Sequence, residues 1–370
     1  MQEEKKYKIA LVGYQLSDGG LERLISNLSL YFGSKQIDIH NIIITDAISY
    51  PYSGVLLNVG KLKFSNFKIV NKVYSYFYMR NYIKSNKFDF IIDFRYRLNP
   101  IVEVLFSSFI YKNTKTIYTV LSSKIDNYLP KNIIFSNFIT KNKHSVVCCS
   151  NVIKENLIVD YHVKSCERIY CPIAIDEINI LSKELISIEY QYIIAAGRFD
   201  ETNVKQLDKL IDSYSKTILP KKNIHLVLLG EGVNKQKFIN FANEKSIGDY
   251  VHFLGFQNNP FKFFSNAKYL VLCSKHEGQG TVIVEALACN IPVVSLDCVC
   301  GPNEVITNGF NGLLVENQNF KKLTDAMNLM IEDNELYENC KRNSIKSVEN
   351  FTIQKIGKEW LDLMQIKSNE

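Results

Sequence analysis

The sequence predicts an α/β protein made of two doubly wound domains in tandem. Short β-rich apolar runs alternate with longer helical patterns through both halves of the chain, as βαβ units closing parallel sheets require. Two such strand–helix series are separated by a break near Pro172–Glu189. A length of 370 residues suits two domains of roughly 100–200 residues each.

In the first series, strands are expected at Lys8–Gly13, Asp38–Ile44, Phe88–Phe94, Thr116–Val120 and Ser145–Cys149, with helices near 20–33, 66–86 and 99–110. In the second, strands are expected at Tyr192–Gly197, His225–Gly230, Val251–Leu254, Tyr269–Cys273 and Pro292–Leu296. Helices fill 205–217, 234–245, 281–289, 319–332 and 334–349. The domains run over 1–172 and 190–350, followed by residues 351–370. Open parallel sheets bind ligands outside the carboxyl ends of their strands, so a central cleft between two facing sheets is the expected site.

Composition narrows the class. With 46% hydrophobic and 22% charged residues, the chain is neither disordered nor fibrous. No apolar run approaches the roughly 18–20 residues that span a bilayer. Met1–Lys6 leads directly into the strand-like Ile9–Val12, which leaves no room for a signal peptide. The nine cysteines are an odd set without Cys-x-x-Cys spacing. Cys148, Cys149, Cys273 and Cys289 lie in apolar runs and read as buried thiols of a reducing compartment, so the cytoplasm is the expected location.

Charge is uneven. Residues 1–180 carry 23 Lys and Arg against 15 Asp and Glu, whereas 181–370 carry 21 against 23. The excess concentrates at 61–90, where Lys61, Lys63, Lys68, Lys72, Arg80, Lys84 and Lys87 face one acid, Asp89. Phe64, Phe67, Tyr74, Phe77, Tyr78 and Tyr82 interleave with them. Two readings stand: a solvated helix face over an aromatic core stripe, or a segment resting on an anionic membrane surface. No nucleic-acid recognition module is visible.

The most informative segment runs from Ser274 to Leu287. A buried-strand pattern ends at Cys273, a turn holding Gly278, Gln279 and Gly280 follows, and a helix begins near Thr281. The first turn of a helix offers unpaired backbone N–H groups and partial positive charge to a phosphate. Glu277 and Glu285 are eight positions apart, on the order of 12 Å or less at about 1.5 Å per helical residue, comparable with a diphosphate between two sugars. Either Glu alone also reads as a surface or capping acid. Glu285 lies within the apolar run Val282–Leu287, where a charge needs a partner.

A second segment ends a strand at Gly197 and continues through Arg198 to Lys205 at the next helix start. Two cations there would neutralise a departing diphosphate as the transition state forms; alone, they also read as solvated surface charges. Asp18-Gly19-Gly20-Leu21 joins the first strand to its helix, where glycines allow backbone to approach a ligand or simply make a tight turn.

Taken together, Glu277…Glu285 with Gly278 between them, Gly197-Arg198…Lys205, Gly301-Pro302-Asn303-Glu304, Asn311-Gly312-Leu313-Leu314-Val315 and Gly19-Gly20-Leu21-Glu22-Arg23 resemble family 4 retaining glycosyltransferases of the GT-B fold, in order over most of 8–365. The resemblance implies a nucleotide-diphosphate-sugar donor, a UDP-sugar above others, and a glycan or lipid-linked acceptor of surface polysaccharide synthesis. Arg198 and Lys205 would stabilise the leaving diphosphate, Glu277 would touch the transferred hexosyl or N-acetylhexosaminyl group, and Glu285 the ribose. Gly197, Gly278 and Gln279 would line the donor site, Gly280 and Thr281 would offer N–H groups to phosphate, and Gly19-Gly20 would close over it. Phe256 would lie against the base. The resemblance further implies a C-terminal helix within 351–370, including Trp360, that crosses back to the N-terminal domain, and transfer without cofactor or metal, consistent with the lack of any Asp-x-Asp. In place of a histidine common in the family after the strand ending at Val120, this chain has Leu121: either Ser122 or a neighbour meets sugar or acceptor instead, or the enzyme is slow or inactive.

Three rivals share parts of this pattern. A dehydrogenase would need a third glycine after Gly278-x-Gly280, where Ile283 stands, and an earlier position in the domain. A nucleotide-sugar epimerase would use the same two domains without an acceptor. A non-catalytic partner of another glycosyltransferase would bind donor or glycan only.

Overall fold

The computed structural model describes residues 6–62, 65–140 and 143–367. Lys63 and Phe64 of the basic segment, and Met1–Lys5 ahead of the first strand, lie outside the described residues. The chain divides into two compact units: Met1–Pro172 with Ile353–Glu370, and Ile173–Thr352.

The first unit runs β1 (Lys8–Gly13), α1 (Gly20–Ser34), β2 (Asp38–Ile43), β3 (Val55–Asn58), α2 (Lys68–Asn86), β4 (Phe90–Asp93), α3 (Pro100–Leu105), β5 (Lys115–Val120), α4 (Ile133–Ile139), β6 (Lys143–Cys148), α5 (Asn151–Val159) and β7 (Cys166–Arg168). The second runs α6 (Ile175–Leu181), β8 (Gln191–Ala196), α7 (Leu207–Ser215), β9 (Ile224–Leu229), α8 (Lys235–Glu244), β10 (Val251–Gly255), α9 (Phe261–Asn266) and β11 (Leu270–Leu272). It continues through α10 (Thr281–Ala288), β12 (Val293–Leu296), α11 (Pro302–Val305), β13 (Gly312–Val315), α12 (Phe320–Glu332) and α13 (Asn334–Ser344). The chain ends in α14 (Ile353–Leu363), which belongs to the first unit.

Both sheets are parallel throughout the described residues, in the orders β3-β2-β1-β4-β5-β6-β7 and β10-β9-β8-β11-β12-β13. A parallel strand covered on both faces reads as an unbroken apolar run, which is why Ile224-His225-Leu226-Val227-Leu228-Leu229 is buried at every position. Each sheet is built outward in one direction and then resumes on the other side of its first strand. Right-handed crossovers therefore put α1 on one face of the first sheet and α2, α3, α4 and α5 on the other. Helix α14 packs on α1. Gly357 makes that approach possible, because a Cβ there would lie 2.3 Å from the Tyr31 ring. Trp360 is buried, its ring centroid 6.2 Å from that of Phe94.

The structure departs from the sequence reading in short elements. The expected break at 172–189 holds α6, whose single buried residue, Ile178, gives no readable period. The edge strands β3 and β7 are four and three residues long, too short to alternate visibly. The helix expected over 99–110 stops at Leu105 and widens into a π turn over Phe106–Ile110, where the Phe106 ring lies 3.9 Å under the Arg95 guanidinium. The helix expected over 334–349 ends at Ser344, and Lys346–Phe351 tightens to 3-10 geometry. Helices α4 and α5 have no counterpart in the sequence reading. All nine cysteines are free and buried.

Replacing Trp360→Ala should cost about 3–5 kcal/mol through the cavity it leaves. Gly357→Val should cost about 1–3 kcal/mol through overpacking against Tyr31. Urea unfolding midpoints check both.

Candidate active site

In the second sheet the strand order reverses between β8 and β11, which are neighbours. A ligand of such a sheet sits outside the carboxyl ends at that reversal. The two segments singled out by sequence follow these two strands, so the topology delivers them to one place.

After β8 the chain turns through Gly197 and reaches α7 at Leu207. The aliphatic stem of Lys205 lies on Gly197, where a Cβ would come within 2.7 Å of its Cγ. The Lys205 Nζ donates to Glu277 Oε1 at 2.6 Å, both side chains being largely buried. Backbone contacts hold the two loops in register, with Lys275 N–H donating to the Val204 carbonyl at 2.8 Å. The Cys273 thiol donates to the Lys205 carbonyl at 3.2 Å. Burial pushes this thiol up to about 12, so it stays a neutral donor at physiological pH. Arg198 behaves differently: its side chain is 79% exposed, and its Nε lies 3.8 Å from Asp200. The site thus pairs one cation already held by an anion with one reaching into solvent.

Beyond Glu277 the chain enters α10. Gly280 takes a left-handed conformation (φ 76°) as its N-cap, and Thr281 is the first helical residue. The preceding turn is braced by the loop after β12. The Cys300 thiol donates to the Gly278 carbonyl at 2.9 Å, and a Cβ on Gly301 (φ 101°) would sit 2.6 Å from the Gln279 carbonyl. Gln279 is buried under this contact. Glu285 is half-buried on the second turn of α10. Phe256 follows Gly255 (φ 75°) at the end of β10 and is partly exposed.

Two residues that sequence reading passes over stand at the same edge. Strand register pairs Leu272 with Ser295, so its continuation sets Ser274 opposite Asp297. The Ser274 hydroxyl and Asp297 Oδ1 are both buried without a hydrogen-bond partner in the protein. Burial raises the Asp297 pKa above its ordinary value. Buried polar atoms of this kind are uncommon and call for a partner such as a water or a ligand; Asn41, Tyr118 and Trp360 of the first unit hold others. Their only sequence signal was position, just past an apolar strand.

In the first unit the order reverses between β1 and β4. Gly19 caps α1 with extended backbone (φ −164°), so its conformation suits any residue. What limits it is the Glu22 carboxylate, 2.1 Å from where a Cβ would stand, a flexible neighbour. Gly20 opens α1. Ser122, after β5, accepts the Lys124 N–H at 3.3 Å, closing its own turn. At the end of β4 lies a buried network the sequence reading missed. Arg95 donates to Asp93 Oδ2 at 2.8 Å and to Glu103 Oε2 at 2.9 Å. Arg97 donates to the carbonyls of Tyr128 (2.8 Å) and Thr119 (2.6 Å). Burial raises the Glu103 pKa despite Arg95. The alternation Asp93-Phe94-Arg95-Tyr96-Arg97 was its one visible trace.

Residues 176–347 match the family described as glycosyl transferases group 1. A Campylobacter jejuni protein named N-acetylgalactosamine-N,N'-diacetylbacillosaminyl-diphospho-undecaprenol 4-alpha-N-acetylgalactosaminyltransferase is 27% identical over 384 residues, covering 96% of this chain and 98% of that one. A Staphylococcus aureus poly(ribitol-phosphate) alpha-N-acetylglucosaminyltransferase is 28% identical over 162 residues, 43% of this chain and 32% of that one. Among solved structures, S. aureus TarM in complex with fondaparinux, alpha-GlcNAc-glycerol and UDP superposes with TM-score 0.77 at 14% identity, covering 97% of this chain and 99% of that one. Anabaena HepE in complex with UDP and glucose gives 0.76 at 16%, with the same coverage. The fold is GT-B. Residues 176–347, a little under half of the chain, thus carry the group 1 glycosyltransferase match, which goes against the dehydrogenase reading.

Asp297→Asn should raise the thermal midpoint at pH 7 by about 2 °C, a small gain because the side chain is partly exposed. A raised carboxyl pKa means the folded state holds its proton longer than the unfolded chain, so this carboxylate costs stability as pH rises past its ordinary value. The gain should therefore shrink in acid, and thermal scans from pH 4 to 7.5 check the sign.

Proposed function

We propose that this glycosyltransferase moves a hexosyl or N-acetylhexosaminyl group, with retention at the anomeric carbon, from a nucleotide-diphosphate sugar to a glycan or lipid-linked acceptor. A UDP-sugar is the favoured donor. The observation that carries the reading is the Lys205–Glu277 pair at the reversal of the second sheet, beside Arg198 and the start of α10.

The pair explains how one site serves both empty and loaded. A lone cation half out of water is costly, and Glu277 satisfies it. A diphosphate carries more charge and competes for the same Nζ. When it wins, Glu277 is released to accept hydrogen bonds from hydroxyls of the transferred sugar, while Arg198 swings from solvent onto the second phosphate. As the bond to the anomeric carbon breaks, negative charge grows on the leaving diphosphate, and these two cations hold it more tightly than in the ground state. The diphosphate oxygen takes the acceptor hydroxyl proton as the new glycosidic bond forms on the face it leaves. In this reading Glu285 meets the ribose, Phe256 the base, and the N–H groups of Gly280 and Thr281 the phosphate.

Support for a lipid-linked acceptor comes from the C. jejuni relative, whose name specifies a diphospho-undecaprenol-linked saccharide and which matches nearly the whole chain. The S. aureus relative, named for a poly(ribitol-phosphate), supports a polymeric glycan instead. Either acceptor suits a cytoplasmic enzyme working at the inner face of the membrane. No helix among the described residues is long and apolar enough to cross one.

A panel of UDP- and GDP-sugars should raise the thermal midpoint selectively, and Arg198→Ala or Glu285→Ala should abolish the rise. Glu277→Gln should separate binding from transfer. With Lys205 no longer held, UDP should bind about tenfold tighter, in the range of one charge-assisted hydrogen bond, while sugar transfer falls at least a hundredfold. Calorimetry with UDP and radiolabelled sugar transfer check the two halves. UDP binding no tighter in Glu277→Gln would sink the exchange, and donor binding without transfer to any acceptor would favour a non-catalytic partner.

A further inference from the structure

Helix α2 is apolar on two sides. Met79 and Ile83 are buried toward the sheet, yet Val70, Val73 and Phe77, three and four positions apart, stand about half exposed, and Ile69 beside them is 79% exposed. An ordinary surface helix buries one stripe and turns polar groups to water. Its neighbours break the same rule. On α3, Ile101 (69% exposed) and Leu105 form an i, i+4 pair facing solvent, and on α4 Ile134 (62% exposed) and Phe138 do likewise.

These stripes belong to one surface. The handedness of the crossovers puts all three helices on the same face of the first sheet. They pack on one another through the π turn, where the Phe77 and Phe109 rings lie 5.5 Å apart and the Arg80 guanidinium covers Phe109 at 4.3 Å. Singly exposed apolar residues are normal on a protein; a run of them over three packed helices is not.

The charge around the patch has one sign. Lys72, Lys84 and Lys87 are exposed along α2 and its cap, and Lys131 precedes α4. The three helices carry a single acid, Glu103, and it is buried against Arg95. A second copy of this chain would set cation against cation, which opposes self-association. Aliphatic and aromatic groups flanked by lysines, with no exposed carboxylate on the three helices themselves, match the headgroup region of an anionic bilayer.

We propose that the α2–α3–α4 face of the first unit docks on anionic lipid, its apolar side chains entering the boundary between headgroups and acyl chains and its lysines meeting lipid phosphates. The surface is wider than the basic segment 61–90, because α3 and α4 supply apolar area without charge. It is independent of how the donor site works.

The full chain should co-sediment with phosphatidylglycerol-containing vesicles at low salt, weaken as salt rises, and ignore pure phosphatidylcholine. Lys72→Glu with Lys84→Glu should lower partitioning at least about tenfold, from roughly fivefold for each basic residue lost. Ile134→Glu with Phe138→Glu, on a helix that bears no charge, should lower it comparably while the thermal midpoint and UDP binding stay unchanged. Recovery of the chain in the supernatant with phosphatidylglycerol vesicles overturns the proposal. So does binding that responds to the lysine changes but not to those on α4. A dimer in analytical ultracentrifugation that Ile134→Glu with Phe138→Glu converts to monomer would give the face to a second copy and overturn it equally.

Discussion

Every strand in both sheets runs the same way, and the remaining architecture follows from that constraint. A parallel strand cannot be reached by a tight turn, so each return to the sheet needs a crossover, here almost always a helix. The loops that leave the strands at their carboxyl ends are then free of the connecting task and collect along one edge. At the reversal of the second sheet the loops after β8 and β11 become neighbours, although Lys205 and Glu277 are 72 positions apart in the chain. Nothing in either segment alone brings those two side chains to 2.6 Å; the order of strands does.

The edge itself carries charges and polar groups that the protein only partly satisfies. Lys205 is neutralised by Glu277, and Arg198 is left largely in water. Ser274 and Asp297 each bury an oxygen that no protein group satisfies. By contrast the buried charges of the first unit, Asp93, Arg95, Arg97 and Glu103, are bonded to one another or to carbonyls almost to saturation. A saturated network holds a loop rigid, since removing any member strands the others. An unsaturated one stores a preference for a ligand. The two units therefore treat the same type of location, the reversal point of a parallel sheet, in opposite ways.

Most of this was legible where the residue pattern is long or chemically distinctive. Strands such as Lys8–Gly13 and the runs ending near Ala196 and Leu229 announce themselves by unbroken apolar composition, because both faces of a parallel strand are covered. Gly197-Arg198, Lys205 and Glu277…Glu285 stand out because they occur together, in order, at the ends of apolar strands. What stayed hidden was short or mutual. Strands β3 and β7 and helix α6 take their form from neighbours rather than from their own period. Asp297 reads as an ordinary loop acid until the register sets it opposite Ser274. The Lys205–Glu277 contact was invisible for a different reason: the sequence suggested that both would meet a ligand, and gave no sign that each serves as the other's partner without one.

The two faces of the first sheet show how far composition alone can mislead. The reading of α2 as a solvated helix over an aromatic core stripe assumes one wet side and one dry side. On the α1 face that assumption is met, because α14 returns and covers it with Trp360, and Gly357 lets the helices meet closely. The chain thus commits a terminal helix to one face and no element of the described residues to the outer stripes of α2, α3 and α4. Three adjacent helices that each carry an i, i+4 apolar pair in water, with every exposed charge among them positive, are the observation on which the proposed lipid docking rests.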